Sequence, residues 1–569
     1  MKHLGHALLL VCSVALLLST VASCSKTVPF RLDTPPPLDH VHGTDAYPCT
    51  GGELCYAPSP SDGTLYTVSV GADSIDPGRV ADSEGMFIVQ NIFEGLTKPG
   101  VSGTPTPGVA ESWRTSSDGL TWTFALREDA KWSNGRAVTA HDFVYSILRR
   151  MGPEMASSES ESVREFIKNG PQWAAGVITD PASVGVRAQD DHTLVLTLSR
   201  RNPLVPNYLM RGEYYPVARE VVEAHGERWT DSANIVSNGA YSLQARKARG
   251  DTILVKNPWY HGADRVRISK VHIYDVESRA MALRLYNDGR IQWLRVGMPA
   301  DELRRFLDDK RPDVIIDPVQ CFYYYGFHVD RAPFDDLRVR RAFNMAIDKA
   351  ALVAQVLGEF QSPAQSPVSP WIAKLTAYPR PQGQVHDVSR ARQLLAEAGF
   401  PDGENFPSVE LIYNTYYVHK RLAEAVKVQL KRHLNIEVTV TNVAWKTALK
   451  LARAGDFQMM RGGWCGGLSD PVSFLRFLRS RGPNNGFGYR NPRYDAIIDA
   501  SYDEADPAAR QRLLSQAEEL IIRDVPIAPV YYYTRASLKL PVLRGYEVDL
   551  SEAHLLQYMY WGDQTPGRD

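Results

Sequence analysis

Residues 408–445 read SVELIYN (408–414), HKRLAEAVKVQLKRHL (419–434) and IEVTVTNVAW (436–445). The order is strand, helix, strand. Two parallel strands need a crossover of this kind, whereas an antiparallel pair can be closed by a short turn. Working outward, FQMMRGGW (457–464) reads as a strand running into glycines. PAARQRLLSQAEELIIRD (507–524) reads as a helix and APVYYYTRASLKL (528–540) as a strand. Upstream, DLRVRRAFNMAIDKAALVAQVL (336–357) predicts one long amphipathic helix opening at Asp335–Asp336. SRARQLLAEAGF (389–400) predicts a helix stopped by Gly399. An α/β domain is therefore expected around 321–534.

The earlier chain interleaves the same patterns. LYTVSVG (65–71), TWTFALREDAKW (121–132), HTLVLTLSR (192–200) and TILVKNPWY (252–260) read as strands. FIVQNIFEGL (87–96), AHDFVYSILRR (140–150, capped by Thr139), SRAMALRLYNDGR (278–290) and PADELRRFLDD (299–309) read as helices. The fold class expected is α/β with mixed sheets, and no repeat of solenoid length is visible.

Composition narrows the function. The chain has 569 residues, 44% hydrophobic and 23% charged, with 64 Lys+Arg against 65 Asp+Glu. These values exclude collagen, a disordered acidic tail and a coiled-coil rod. They leave no general basic footprint, so no nucleic-acid partner is expected. After the first segment no apolar run is long enough to span a bilayer, so a helical channel or permease is not expected.

The N-terminus reads as an address. MKHLGH carries one positive charge at Lys2, ALLLVCSVALLL (7–18) is apolar, and small residues follow. This is the pattern of a secretory signal, here 1–23. Val21-Ala22-Ser23-Cys24 resembles a bacterial lipobox, which implies lipidation of Cys24. Residues 24–63 then form a Pro-, Ser- and Asp-rich tether. Six cysteines are present, at 12, 24, 49, 55, 321 and 465. With Cys12 removed and Cys24 lipidated, an even set remains in an oxidising space. Two bridges are predicted, Cys49–Cys55 and Cys321–Cys465.

No HExxH, GxSxG, phosphate loop or zinc-type cysteine pattern occurs. Asp39-His40-Val41-His42 lies in the tether and reads as polar linker. No catalytic residue, metal or cofactor is expected, and binding is favoured over chemistry.

Further motifs run in order from about 64 to 562. They include Ser74-Ile-Asp-Pro77, Asn91-Ile-Phe-Glu-Gly-Leu96, Pro107-Gly-Val-Ala-Glu-Ser-Trp113 and Asp118-Gly-Leu-Thr-Trp-Thr-Phe124. Leu126 to Gly135, Val138 to Ser146 and Asn238-Gly-Ala-Tyr241 follow, then Cys321-Phe-Tyr-Tyr-Tyr325 and Pro333 to Arg340. Gly463-Trp-Cys465 and Pro529-Val-Tyr-Tyr-Tyr533 complete the set. Together they resemble the bacterial extracytoplasmic solute-binding proteins of the dipeptide/oligopeptide-binding family, and within it the oligopeptide binders. The resemblance implies a two-lobed periplasmic-binding-protein fold with a hinge. Lobe I would comprise 64–93, 219–320 and 535–569, lobe II 321–534, and an extra domain 94–218. It implies a monomeric receptor that captures an oligopeptide or related anionic solute and delivers it to an ABC permease and ATPase. The compartment would be the periplasm or cell surface. In oligopeptide binders the equivalents of Cys321 and Cys465 are paired.

The resemblance also assigns a site. Gly463, Trp464 and Cys465 match the segment that bonds the ligand backbone. Trp464 and Tyr324 read as core on composition alone and as ligand-facing on the motif match. Arg461 and His419 match positions that meet a peptide carboxylate. The acids that hold a free amine are missing, because Gly467 and Ala81 occupy those positions. Asp82 and Asp470, one and three positions away, are the candidate substitutes. Other solutes implied by the family are murein peptide, glutathione, oligosaccharide, haem or a metal chelate, and a nutrient-signalling lipoprotein is a further alternative.

Overall fold

Val409–Asn414 and Val438–Val443 pair in parallel, Val409 opposite Val438, and the helix Tyr417–Leu434 crosses between them. That helix buries His419, Leu422, Ala423, Val426, Leu430 and Leu434, the spacing of a single helical face. It ends where Asn435 turns left-handed, after three basic residues that suit the negative end of the helix dipole. The structure is a computed structural model describing residues 60–562, apart from 61, 101–102, 156–162, 248–249, 359 and 547–552. The predicted signal segment, Cys24 and the Cys49–Cys55 loop lie outside the described residues.

The parallel pair forms one end of an eleven-stranded mixed sheet. Next come Met459–Cys465, then the two long strands Val314–Phe327 and Ile527–Lys539. Beyond them lie Trp293–Leu294, Thr64–Ser69, Lys270–Asp275, Thr252–Lys256 and Tyr241–Arg246, and the short eleventh strand Ser362–Pro363 pairs with Tyr532 and Tyr531 off this path. The two long strands are antiparallel and belong to both halves of the sheet. Phe322–Gly326 runs against Tyr532–Ile527, and Val314–Pro318 against Leu538–Thr534. The register breaks between Pro318 and Phe322. Pro318 has no N–H to give to a ladder, which suits it to such a break.

Each half has its own apolar core. One gathers Tyr323, Phe343, Leu411 and Leu430, and the other Val68, Leu285 and Phe306. Between the first strands of the chain, a separate four-stranded antiparallel sheet forms from Ala110–Thr115, Thr121–Leu126, Thr193–Thr197 and Val186–Asp190. The helix Ala140–Met151 starts at Thr139, whose N–H donates to Asp142 at 2.9 Å. Arg149 near its end grips Asp76 at 2.9 Å and so ties this unit to the N-terminal segment.

Two expected helices differ. The run 336–357 is not one helix. Leu337–Ala346 stops at Ile347, which is extended (φ −81°, ψ 108°). Asp348 then caps a new start, its Oδ1 accepting from Ala351 N at 2.9 Å. An aspartate competes with helix continuation by capping the next turn. The helix expected at 87–96 lies at Ser83–Ile92, capped by Asp82. It ends before Glu94 because that carboxylate is drawn into a buried cluster. Glu94 meets Lys98 at 2.7 Å, His261 at 2.6 Å and the Tyr260 hydroxyl at 2.6 Å.

Cys321 and Cys465 stand opposite each other on adjacent strands and form a disulfide spanning 144 residues of sequence.

Candidate functional site

The strand Met459–Cys465 is paired along its whole inner edge, from Met459 opposite Phe327 to Cys465 opposite Cys321. Its outer edge meets Leu411 and Ile412 only at Met459 and Met460. From Arg461 to Cys465 that edge has no strand partner among the described residues. Unpaired N–H and C=O groups on a strand edge are a template for another strand.

Side chains alternate along this segment. Gly462 lets the Tyr324 ring lie against the backbone, since a Cβ there would sit 2.3 Å from the ring. Trp464 donates its indole N–H to Ser473 O at 2.6 Å and stacks on Phe477 at 4.7 Å. Tyr324 packs 5.9 Å from both Phe477 and Phe487. These rings, with Phe457, Arg461 and Gly463, line a cavity of about 210 Å³. Tyr324 is buried while Trp464 is only half-buried, so Tyr324 supplies wall and Trp464 supplies surface.

Arg461 and His419 come together around Tyr323. The Arg461 guanidinium lies 4.8 Å over the Tyr323 ring and donates to Tyr533 Oη at 2.9 Å and Asn414 Oδ1 at 3.2 Å. No carboxylate lies within ion-pair distance of it among the described residues. His419 is buried, 5.5 Å from the Tyr323 ring and 5.0 Å from that of Tyr416. Burial first, then the Arg461 charge, pushes its imidazole down to about 3. It is neutral at physiological pH, so Arg461 is the only cation of the pair.

The predicted acids lie apart. Asp470 is buried, and Arg510 holds both its oxygens, at 2.7 and 2.9 Å. Its Oδ1 also accepts from Val472 N at 2.9 Å. The carboxylate is committed to this pair and has no spare edge for an ammonium. Asp82 is occupied as a helix cap, accepting from Gly85 N at 2.7 Å. It borders a different cavity, of about 510 Å³, in the other half of the sheet, together with Glu84, Glu277, Arg279, Arg295 and Arg535. Ala81 and Gly467 are both exposed.

Sequence reasoning missed Asn414 and Tyr533 as the groups that aim Arg461. Tyr533 belongs to the motif Pro529-Val-Tyr-Tyr-Tyr533, and its partner Arg461 lies 72 residues away in sequence. Phe457, Phe477 and Phe487 were also missed. Ordinary buried aromatics carry no local mark of lining a cavity.

Comparison with known proteins identifies the family. Residues 104–486 match the model of the bacterial extracellular solute-binding proteins, family 5 Middle. The periplasmic oligopeptide-binding protein OppA of Salmonella typhimurium is 37% identical over 481 residues, 83% of this chain and 87% of that protein. The unliganded open form of the periplasmic murein tripeptide-binding protein MppA superposes with a TM-score of 0.77 at 30% identity, over 89% of this chain and 98% of that one. Haemophilus influenzae OppA in complex with RPPGFSPFR gives 0.70 at 28% identity, over 88% and 99%. The chain therefore belongs to the bacterial extracellular solute-binding proteins of family 5.

Proposed function

We propose that this protein is the solute-binding component of a peptide-type ABC importer and takes an extended peptide along the free edge of Arg461–Cys465. The observation that carries the reading is that edge, lying between an aromatic cavity and a guanidinium with no carboxylate partner among the described residues. An extended ligand adds its backbone to such an edge as one more strand, and its side chains enter flanking pockets. Arg461 then receives a ligand carboxylate, with neutral His419 as a hydrogen-bonding neighbour. The protein acts by capture and delivery, not by catalysis.

The two halves of the sheet would act as lobes turning about Val314–Phe327 and Ile527–Lys539, with lobe I as 64–93, 219–320 and 535–569, lobe II as 321–534 and the extra domain as 94–218. We place the protein as a monomer on the periplasmic or cell surface, held by lipid on Cys24 and serving a permease and ATPase.

One departure shapes the ligand. Gly467 and Ala81 supply no acid, and Asp470 is committed to Arg510. The preferred ligand is peptide-related, with a blocked, absent or solvent-facing amine. Murein peptide fits within this class. Calorimetric titration with tripeptides and their C-terminal amides tests the reading. The acids should bind and the amides should lose at least tenfold. Absence of heat from every peptide of three to five residues would refute it.

A further inference from the structure

A third cavity, of about 340 Å³, shares Trp464, Phe477, Pro483 and Asn484 with the aromatic cavity. Its remaining wall is strongly basic. Arg476, Arg479 and Arg481 come from one half of the main sheet's surroundings, and Arg200 from the unit built on the four-stranded sheet. Among the described residues only two carboxylates line it, Glu165 and Asp495. Arg476 meets Glu165 at 3.2 Å and Arg479 meets Asp499 at 2.7 Å. Asp495 accepts from Ser480 N at 3.0 Å. Arg200 lies 5.1 Å over the Tyr502 ring, and Arg481 is exposed. Neither Arg200 nor Arg481 has a carboxylate within ion-pair distance among the described residues.

Guanidiniums keep their charge at any working pH. Scattered over a convex surface, they would simply be solvated. Here elements far apart in sequence bring them to one concavity with aromatic walls, and such a shape focuses positive potential. Their planar forks suit a carboxylate in two-point contact. Trp464 joins this cavity to the strand edge that would hold the ligand backbone.

We propose that this cavity is an anion-selecting subsite that takes the acidic side chain of an Asp or Glu in the ligand, with Arg200 and Arg481 as its specificity-determining residues. The proposal rests on the peptide reading above and deepens it. It makes the receptor selective for acidic peptides independently of the chain-terminal carboxylate at Arg461.

The test is calorimetry on the full chain with tetra-alanine peptides carrying Glu or Gln at each position in turn. At one position Glu should bind at least tenfold tighter than Gln at low ionic strength, and the gap should shrink in high salt. The double variant Arg200→Gln with Arg481→Gln should close the gap, bringing the Glu-to-Gln affinity ratio to about one. Arg200→Lys with Arg481→Lys should retain part of the gap, and an unchanged Tm checks folding of both variants. Equal binding of Glu and Gln peptides at every position overturns the subsite alone. So does a Glu preference that survives the double Gln variant. Silence from the whole set overturns both the subsite and the peptide reading.

Discussion

Arg461 and Gly467 set the charge pattern of the site at the scale of single residues. Arg461 is aimed by Tyr533 and Asn414 and has no acid within ion-pair distance among the described residues, while in the proposed reading Gly467 stands where an acid would face the ligand amine. Gly467 does not adopt a left-handed conformation, so its backbone accepts a side chain. Gly467→Asp should create a preference for free-amine over N-acetylated tripeptides of about tenfold, about 1.4 kcal/mol, measured by competition titration. Histidine makes a second prediction. In the fold His419 and His554 are both pushed down to about 3, chiefly by burial, from an ordinary 6.5. Between those values the unfolded chain binds protons that the folded chain refuses, so stability falls as pH drops from about 6.5 towards 3. Glu94 adds to this. Burial alone would raise its pKa, but Lys98 and His261 outweigh that and hold it at about 2, so its contribution is lost below 4.5. Urea unfolding from pH 7 to 4 should show the decline, and His419→Gln should make it shallower. Carboxylate binding should stay flat from pH 5 to 8, because neither Arg461 nor His419 titrates there. The expectation of missing acids at 467 and 81 came from the family resemblance, not from the residues themselves. The sequence could not show that Asp470 was committed, because Arg510 lies 40 residues away and only the fold joins them.

At the scale of elements, the open edge of Met459–Cys465 depends on the glycines within it and the bridge at its end. Gly462→Ala would push a methyl into the Tyr324 ring. Overpacking of this kind costs about 1–3 kcal/mol, and it should also weaken peptide binding by displacing the cavity wall. Replacing Cys321 and Cys465 by serine should cost about 2–4 kcal/mol in urea unfolding, because the bridge closes a long loop of the unfolded chain. The local elements were largely legible. Period-two runs gave Thr64–Ser69 and Thr121–Leu126, and the crossover unit 408–445 gave the parallel pair. The failure at 336–357 is instructive. Its apolar spacing continues through Ile347, but Asp348 caps a fresh helix and the chain bends. A cap inside an apparently continuous face was the available signal.

The whole molecule is organised by two strands that no local pattern could pair. Val314–Phe327 and Ile527–Lys539 lie some two hundred residues apart, yet together they join both halves of the sheet. The resemblance to a known family carried the two-lobed architecture where periodicity alone stopped at mixed α/β. If those strands act as the hinge, ligand should shrink the molecule, and small-angle scattering should show a smaller radius of gyration on peptide addition. No change at saturation would argue against closure. A peptide receptor that lacks the amine contact should be indifferent to blocking of the ligand's amine. The most direct test is one calorimetric titration of the purified chain with matched tripeptides, free and N-acetylated at the amine. Both should bind, with dissociation constants within about threefold, roughly 0.6 kcal/mol. Binding of the free-amine peptides alone would contradict this and would require an acid that the fold leaves available.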